Sequence, residues 1–174
     1  MNKIRDLTRR QRYLGKAASA KFLPIEICTI NFGIDQNLGF LIRAAACFGV
    51  QKINVVGSIP ERSKLKSFSG SLYDYVALES FSNPRKYLEY AKNENRPIIS
   101  AEISNSSKPI SSVDFCSYGN FHLVMGNEST GVPEEIIRQS TAVHVPMPGI
   151  GYCLNTSQAA NIFLYEISKQ IIEN

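Results

Sequence analysis

Five short apolar runs, separated by polar or helix-forming segments, constrain the fold of this chain more than any other feature. Because each run is apolar almost throughout, the runs are typical of strands that are buried on both faces of a parallel sheet. Helix-forming segments between them indicate a mostly parallel sheet flanked by helices, an α/β fold. The predicted strands are Ile25–Ile30, Ile53–Val56, Ile98–Ala101, Phe121–Met125 and Ala142–Val145, with Tyr75–Leu78 as a shorter candidate.

The segments between the strands divide into predicted helices and predicted loops. Polar segments with Gly, Ser or Pro, residues 58–71 and 104–112, are predicted to be loops. We see no linker or repeat, and we expect one domain over residues 25–174, preceded by an N-terminal helical extension over residues 1–24. The predicted helices are 3–19, Leu38–Gly49, Pro84–Asn93, Pro133–Gln139 and Leu154–Ile172.

Positive charge is concentrated in the N-terminal extension. Residues 1–24 hold seven of the 19 lysines and arginines and one acid, a charge of +6, whereas the whole chain carries +4. A basic segment on a nearly neutral body is typical of a protein that binds a phosphate backbone, although a solvated helix face has the same composition. The candidate RNA-binding residues of this segment are Arg5, Arg9, Arg10, Arg12 and Lys16.

The cysteines, histidines and apolar runs bear on location and metal binding. The four cysteines form no C-x-x-C pair, and neither histidine has metal-ligand spacing to them. No apolar run approaches the ~20 residues that a membrane span requires. We therefore expect a cytoplasmic protein in a reducing compartment, with no structural metal and no membrane association.

The first unusual segment follows the strand Ile25–Ile30 and enters a helix. Asn37 is placed to cap this helix, and Arg43 is its only charged residue after Leu38. An arginine in an apolar helix is costly unless it is paired or faces a polar cleft. The side chain either extends to the surface or binds a phosphate or ribose, and the sequence leaves both possibilities open.

The second segment, residues 123–133, leads from a strand through Gly126, Asn127, Glu128 and Gly131 into a helix. We expect the glycines to let backbone amides approach a ligand closely. The segment is neither the dinucleotide fingerprint nor a P-loop, because G-x-G-x-x-G and Gly-Lys-Ser/Thr are both absent. Glu128 is predicted either to bind a ligand or to cap the following helix.

The third segment, residues 145–160, is a loop with Pro146, Gly149 and Gly151 that enters the last helix. Asn155 and Ser157 suit helix capping, which is the ordinary interpretation. The alternative is that this loop, like the other two segments, lies at the carboxyl ends of the strands, where open parallel sheets bind their ligands.

Taken together, the three segments resemble the signature of the SpoU/TrmH family of RNA ribose 2′-O-methyltransferases, in the SPOUT superfamily. Asn37, Gly39 and Arg43 match its N-x-G-x-x-x-R helix, and Gly126, Glu128 and Gly131 match its G-x-E-x-x-G loop. Its I-P-M-x-G and S-L-N-x-S motif corresponds to Val145-Pro146-Met147 and Leu154-Asn155-Thr156-Ser157. The resemblance covers roughly residues 25–170. One departure is Cys153, where the family usually has Ser, a better hydrogen-bond donor.

The resemblance implies a deep C-terminal trefoil knot, S-adenosylmethionine as methyl donor, a homodimer, and RNA as substrate, with tRNA favoured over rRNA. It implies that Gly126, Val145 and the Leu154 region hold the adenine, and that the methionine end of the donor faces Arg43. The implied catalytic residues are Arg43, Asn37, Glu128 and Asn155, and Arg43 would also contact RNA. The implied cofactor-binding residues are Ala101, Gly126, Asn127, Glu128, Val145, Pro146, Met147, Gly149, Cys153, Leu154 and Asn155.

Two other functions are compatible with the sequence. Cys153 favours a catalytically inactive RNA-binding module that has kept the fold. Alternatively, Cys153 is the nucleophile of an enzyme that acts on small molecules, which would require a neighbouring base and a lowered thiol pKa. The only histidine near it in the sequence is His144.

Overall fold

The computed structural model describes residues 8–172, and its centre is a seven-stranded sheet in which every strand pair is parallel. The strand order is β3-β2-β1-β6-β4-β7-β5. This confirms the α/β fold. The strands are β1 (Ile25–Ile30), β2 (Lys52–Val56), β3 (Ala77–Phe81), β4 (Ile98–Ala101), β5 (Lys108–Pro109), β6 (Phe121–Met125) and β7 (Thr141–His144).

Within residues 8–172, helices pack on both faces of the sheet. One apolar core contains the inner sides of α2 and α6, and a second contains residues of α4 and α5. This two-sided burial explains why β1 and β6 are buried at every position. The helices are α1 (Arg9–Ala18), α2 (Asp35–Phe48), α3 (Arg62–Ser69), α4 (Pro84–Asn93), α5 (Glu134–Ile137) and α6 (Thr156–Ile172), and short 3₁₀ turns span Gly70–Tyr75, Ile110–Ser112 and Phe115–Tyr118.

The predicted boundaries agree best where an apolar run decides them. The strands Ile25–Ile30, Ile98–Ala101 and Phe121–Met125 and the helix Pro84–Asn93 have the predicted ends. Asn83 caps this helix through a bond from the amide of Lys86. The predicted helix 3–19 is described only from Arg9 to Ala18, and residues 3–7 lie outside the described part.

Two predicted loops were wrong in part. Residues 58–71 contain α3, in which only Leu65 and Ser69 are buried. The helix packs against α2 so closely that a Cβ on Gly39 would lie 2.6 Å from the Cβ of Phe68. Only Leu65 and Phe68 are apolar within α3, and the surrounding Ser, Lys and Gly residues led to the prediction of a loop. Within residues 104–112, Lys108–Pro109 pairs with β7 at the sheet edge.

The β1–β6 pair lies near the middle of the sheet, with β2 and β3 on one side of it and β4, β7 and β5 on the other. Because all strands are parallel, the loops after β1, β4, β6 and β7 leave from the carboxyl ends of the strands, where parallel sheets bind ligands.

The knot that the resemblance implies concerns the threading of the chain and stays a prediction. None of the helices within residues 8–172 is long and apolar enough to cross a bilayer.

Candidate active site

A chain of side-chain hydrogen bonds joins the three unusual segments at the carboxyl edge of the sheet. The side-chain amide of Asn37 donates to Glu128 Oε1. Asn37 Oδ1 in turn accepts from Asn155 Nδ2 at 2.9 Å. The residues are 91 and 118 positions from Asn37 in the chain, so the fold alone brings them together. We call Glu128, Asn37 and Asn155 the polar triad.

The charge of Glu128 is stabilised where it stands. Burial on its own would raise the pKa of this carboxyl, but bonds from the Asn37 side chain and from the backbone of Gly33 outweigh it, and the pKa lies below its usual value. The Gly33 amide donates to Oε2 at 3.0 Å. Glu128 therefore holds the start of the α2 segment and does not cap the helix that follows it.

Asn37 has a different position from the one predicted. The N-cap residue of α2 is Ile34, without a side-chain capping bond, so Asn37 lies inside the first turn and the capping prediction was wrong. Its side chain is 3% exposed and is fully engaged by Glu128 and Asn155. Asn37 Oδ1, which would accept from a backbone amide in a helix cap, instead accepts from Asn155.

Asn155 both caps α6 and belongs to the polar triad. Its Oδ1 accepts from the amide of Ser157 at 2.9 Å and from the Ser157 hydroxyl at 2.7 Å. The next residue, Thr156, donates from its hydroxyl to the carbonyl of Gly126 at 3.1 Å and is buried. The third segment is thereby fixed to both of the others.

Gly126 and Gly131 serve mainly to close their own loop. A Cβ on Gly126 would lie 2.6 Å from the carbonyl carbon of Gly131, and Gly131 has a φ of +68°. Asn127 and Gly131 exchange backbone hydrogen bonds at 3.0 Å. The Asn127 side chain donates to the carbonyl of Asn31 at 2.6 Å. The loop itself therefore fills the space on the Cβ side of Gly126, and the approach of a ligand to its backbone stays a prediction.

Arg43 lies beside the polar triad in a cleft of about 510 Å³ between α2 and α6. Its Nη1 donates to the carbonyl of Phe68 at 3.3 Å. Within residues 8–172 no carboxylate forms an ion pair with it. The guanidinium thus keeps donors for a phosphate or ribose. The cleft is lined by Gln36, Asn37, Phe40, Arg43, Ala44, Cys47, Asn155, Ser157, Gln158 and Asn161.

Three of the predicted cofactor residues, Ala101, Gly126 and Val145, lie at or directly after the carboxyl ends of β4, β6 and β7. Ala101 is in register with Met125 on one side and Val143 on the other, so the loops after these strands leave side by side. Val145 packs against the core, and Met147 is half-buried. The other predicted residues of this loop, Pro146, Gly149, Cys153 and Leu154, are exposed.

Among residues 8–172, no histidine bonds the thiol of Cys153. Cys153 is an exposed free thiol. His144, the base that such a role would need, bonds through Nδ1 with the hydroxyl of Ser107 at 2.9 Å. Within residues 8–172 no group of three or more His, Cys, Asp or Glu side chains could hold a metal ion.

Sequence reasoning missed Glu102, which links the loops after β4 and β6 to strand β7. Its Oε2 accepts from the amide of Val132 at 2.8 Å, and its own amide donates to the carbonyl of Val143 at 3.0 Å. A Cβ on Gly131 would lie 2.5 Å from the same carboxylate oxygen. The available signal was an acidic residue directly after a buried strand.

The basic N-terminal residues are described only in part. Arg5 lies outside the described residues, and nothing is described of the Arg9 and Arg10 side chains. Arg12 and Lys16 are exposed on α1. This helix begins with a capping box between Thr8 and Gln11.

Comparison with known proteins identifies the family. A sequence profile of the SpoU rRNA Methylase family matches residues 24–165. The chain belongs to this family.

Two comparisons with Aquifex aeolicus enzymes extend over most of this chain. It is 26% identical to the tRNA (guanosine(18)-2′-O)-methyltransferase of Aquifex aeolicus over 94% of this chain and 78% of that protein. The crystal structure of the A. aeolicus TrmH/SpoU tRNA modifying enzyme superposes with a TM-score of 0.81 at 25% identity, over 95% of this chain and 84% of that one.

A third comparison shows the fold alone. The AdoMet-bound rRNA methyltransferase of Sinorhizobium meliloti has a TM-score of 0.76 at 21% identity, over 85% of this chain and 57% of that one. The family match confirms the resemblance to the SpoU/TrmH family that the three motifs indicated, and the superposed structures confirm the α/β fold.

Proposed function

We propose that this protein methylates a ribose 2′-hydroxyl of RNA with S-adenosylmethionine as donor, and that its substrate is tRNA in preference to rRNA. Membership of the SpoU family supports the reaction, and the A. aeolicus tRNA methyltransferase supports the choice of tRNA. The observation that carries the proposal is the polar triad of Glu128, Asn37 and Asn155, which joins three distant motifs beside the guanidinium of Arg43.

The loops after β4, β6 and β7 fit an adenosine-containing donor. Backbone amides and carbonyls suit the polar edge of an adenine, and small or apolar side chains suit its faces. Among the described residues, no backbone hydrogen bond is formed by residues 147–154, so these donors and acceptors are open. We assign donor binding to Ala101, Gly126, Asn127, Glu128, Val145, Pro146, Met147, Gly149, Cys153, Leu154 and Asn155.

When bound, the donor supplies a sulfonium-activated methyl group, and transfer of this group needs alignment with the acceptor oxygen and no metal. Arg43 provides the charge for the acceptor. An arginine stays protonated, so we assign it electrostatic stabilisation of the 2′-oxygen, whose proton passes to solvent as the new carbon–oxygen bond forms. Its remaining donors suit an RNA phosphate.

Glu128 and Asn155 act on Arg43 and the ribose by position. Glu128 accepts bonds on both carboxylate oxygens, and its pKa is lowered, so it is a weak proton acceptor. Asn37 transmits the position of Glu128 to Asn155, and Asn155 lines the same cleft as Arg43. We therefore assign the triad the task of holding the cleft in shape.

We assign RNA backbone contacts to Arg43 and to the basic segment with Arg5, Arg9, Arg10, Arg12 and Lys16. The hydroxyl of Ser71 lies 3.1 Å from that of Tyr13, which places α1 against the 3₁₀ turn that follows α3. We keep the division into an extension, 1–24, and a methyltransferase domain, 25–174. Leu23 is buried, with 4% of its surface exposed, so the core begins just before that boundary.

We also infer a homodimer through α2 and α6. Of the apolar residues predicted on α6, Phe163 and Ile167 are buried in the core, whereas Ile162 and Tyr165 are 37% and 60% exposed. Phe40 on α2 is 42% exposed. These side chains offer an apolar surface to a second copy. A cytoplasmic location fits the RNA substrate.

The test is transfer of a labelled methyl group from S-adenosylmethionine to unfractionated tRNA, followed by digestion to nucleosides. We expect the label in a 2′-O-methyl nucleoside. Label in a methylated base, or no label in tRNA or rRNA, would contradict the proposal.

A further inference from the structure

A second cleft of about 610 Å³ lies next to the first one, between the start of α2 and the helix α3. Gln36 lines both clefts, so the two are neighbours along α2. None of the three sequence motifs explains the α3 wall of the second cleft. Its lining residues are Gly33, Ile34, Asp35, Gln36, Lys64, Ser67 and Phe68.

Phe68 connects the second cleft to Arg43. Its carbonyl accepts the bond from Arg43 Nη1, and its ring meets that of Phe40 edge-on with centroids 5.5 Å apart. Gly39 allows this approach, since a Cβ there would lie 3.2 Å from the carbonyl oxygen of Leu65. The α3 helix is therefore fixed against the same face of α2 that presents Arg43. A nucleotide adjacent to one held by Arg43 would lie at the second cleft.

Lys64 is the cation of α3 that is most free to bind a ligand. Arg62 and Lys66 both pair with Asp74. Lys64 lies 3.8 Å from Asp35, and the two side chains are 63% and 42% exposed. A pair this long and this exposed to water contributes little, and a phosphate can replace the carboxylate. Ile34, which is 51% exposed, adds apolar surface beside the cation.

We propose that the α2–α3 cleft binds the nucleotide next to the one that is methylated, with Lys64 on its phosphate and with Ile34 and Phe68 against its base or sugar. This inference rests on the proposed function, and the occupant is an unpaired RNA strand. Single-stranded RNA is bound by basic grooves that also offer apolar surface to splayed bases. Because the two clefts adjoin at Gln36, one strand can pass from the Arg43 cleft to the second cleft.

The experiment compares Lys64→Ala and Lys64→Glu with Lys86→Ala. Lys86 is a matched control, because its side chain is 61% exposed, pairs with Glu89 and lies on α4. Binding of unfractionated tRNA is measured over a range of salt concentrations. Methyl transfer is measured at varied tRNA, and donor affinity by calorimetry.

We expect Lys64→Ala to weaken tRNA binding roughly three- to tenfold at low salt and to lower the salt slope by about one, with a larger loss for Lys64→Glu. The KM for tRNA should rise while kcat at saturating tRNA and donor affinity stay unchanged. Lys86→Ala should match the wild type.

Equal tRNA binding and equal salt slope in Lys64→Ala, Lys86→Ala and wild type would overturn the inference, while wild-type methyl transfer would leave the proposed function intact. If the wild type binds tRNA but does not methylate it, the proposed function fails and the salt slope still decides whether Lys64 contacts RNA. A wild type that does not bind tRNA would overturn both.

Discussion

At the scale of single residues, the proposed methyl transfer depends on Arg43. The sequence left open whether this side chain extends to solvent or faces a cleft, and the structure shows it exposed in a cleft beside Asn37 and Asn155. Because it has no carboxylate partner among the described residues, its charge is available to a ligand.

We expect Arg43→Ala to fold and to bind S-adenosylmethionine, but to lose at least about a hundredfold in kcat, the range typical of one lost electrostatic group. Arg43→Lys keeps the charge without the planar donor fork and should recover only part of the activity. Thermal unfolding and calorimetry with the donor serve as controls. Full activity in Arg43→Ala would end the assignment.

The sequence revealed the site residues that belong to a recognisable motif, but not the contacts between them. Motif matching found Glu128, Asn37 and Asn155, but not that they bond to one another, because their spacing in the chain is long. Glu102 belongs to no motif that we recognised, and its role follows only from the loops that it contacts.

At the scale of elements, strands were easier to predict than the helix that walls the site. Apolar runs fixed β1, β4 and β6, whereas α3 is polar at most positions and depends on contact with Gly39. The start of α2 was misplaced because Asn37 looks like a cap in isolation and is drawn instead into the triad.

The loops after β4, β6 and β7 give a prediction at this scale. Glu102→Gln replaces a carboxylate that accepts from the amide of Val132 and contacts Gly131. A bond to a charged acceptor is stronger than one to a neutral amide. We expect the KM for S-adenosylmethionine to rise severalfold, with kcat at saturating donor nearly unchanged.

The exposed pair partner Glu134→Gln is the control for Glu102→Gln, since it bonds only Arg138 at the surface among the described residues. An unchanged donor KM in Glu102→Gln would show that the carboxylate does not position the cofactor loops. Glu102→Ala should have a larger effect in the same direction.

At the scale of the whole molecule, a buried polar cluster at the other end of the sheet links stability to pH. His122 is fully buried on β6, and its Nδ1 lies 3.0 Å from the Tyr87 hydroxyl. Burial lowers its pKa from 6.5 to about 4, against the opposite effect of Glu26 and with help from Arg96 and Lys52. The remaining neighbours in this cluster are Asn54 and Tyr90, both bonded to Glu26.

Because the unfolded chain binds a proton at His122 more readily than the folded one, this group makes stability fall as pH drops from 6.5 to 4, by about 3 kcal/mol in all. Above pH 6.5 its contribution is constant. The pKa of Glu26 is also lowered, although burial raises it, because bonds from Asn54 and Tyr90 outweigh the burial. Its contribution is therefore lost at lower pH, below about 4.5.

Urea unfolding at several pH values tests this prediction, with His122→Gln as the non-titrating variant. We expect the wild type to lose stability between pH 6.5 and 4 and the variant to show a flatter profile there. Parallel profiles for the two proteins would show that His122 is not the responsible group.

The most direct test of the central claim is mass spectrometry of nucleosides from the tRNA of cells that lack this protein, complemented with the wild type or with Arg43→Ala. We expect one 2′-O-methyl nucleoside to disappear in the deletion, to return with the wild type and to stay absent with Arg43→Ala. An unchanged set of 2′-O-methyl nucleosides in both tRNA and rRNA of the deletion strain, or recovery with Arg43→Ala, would contradict the claim.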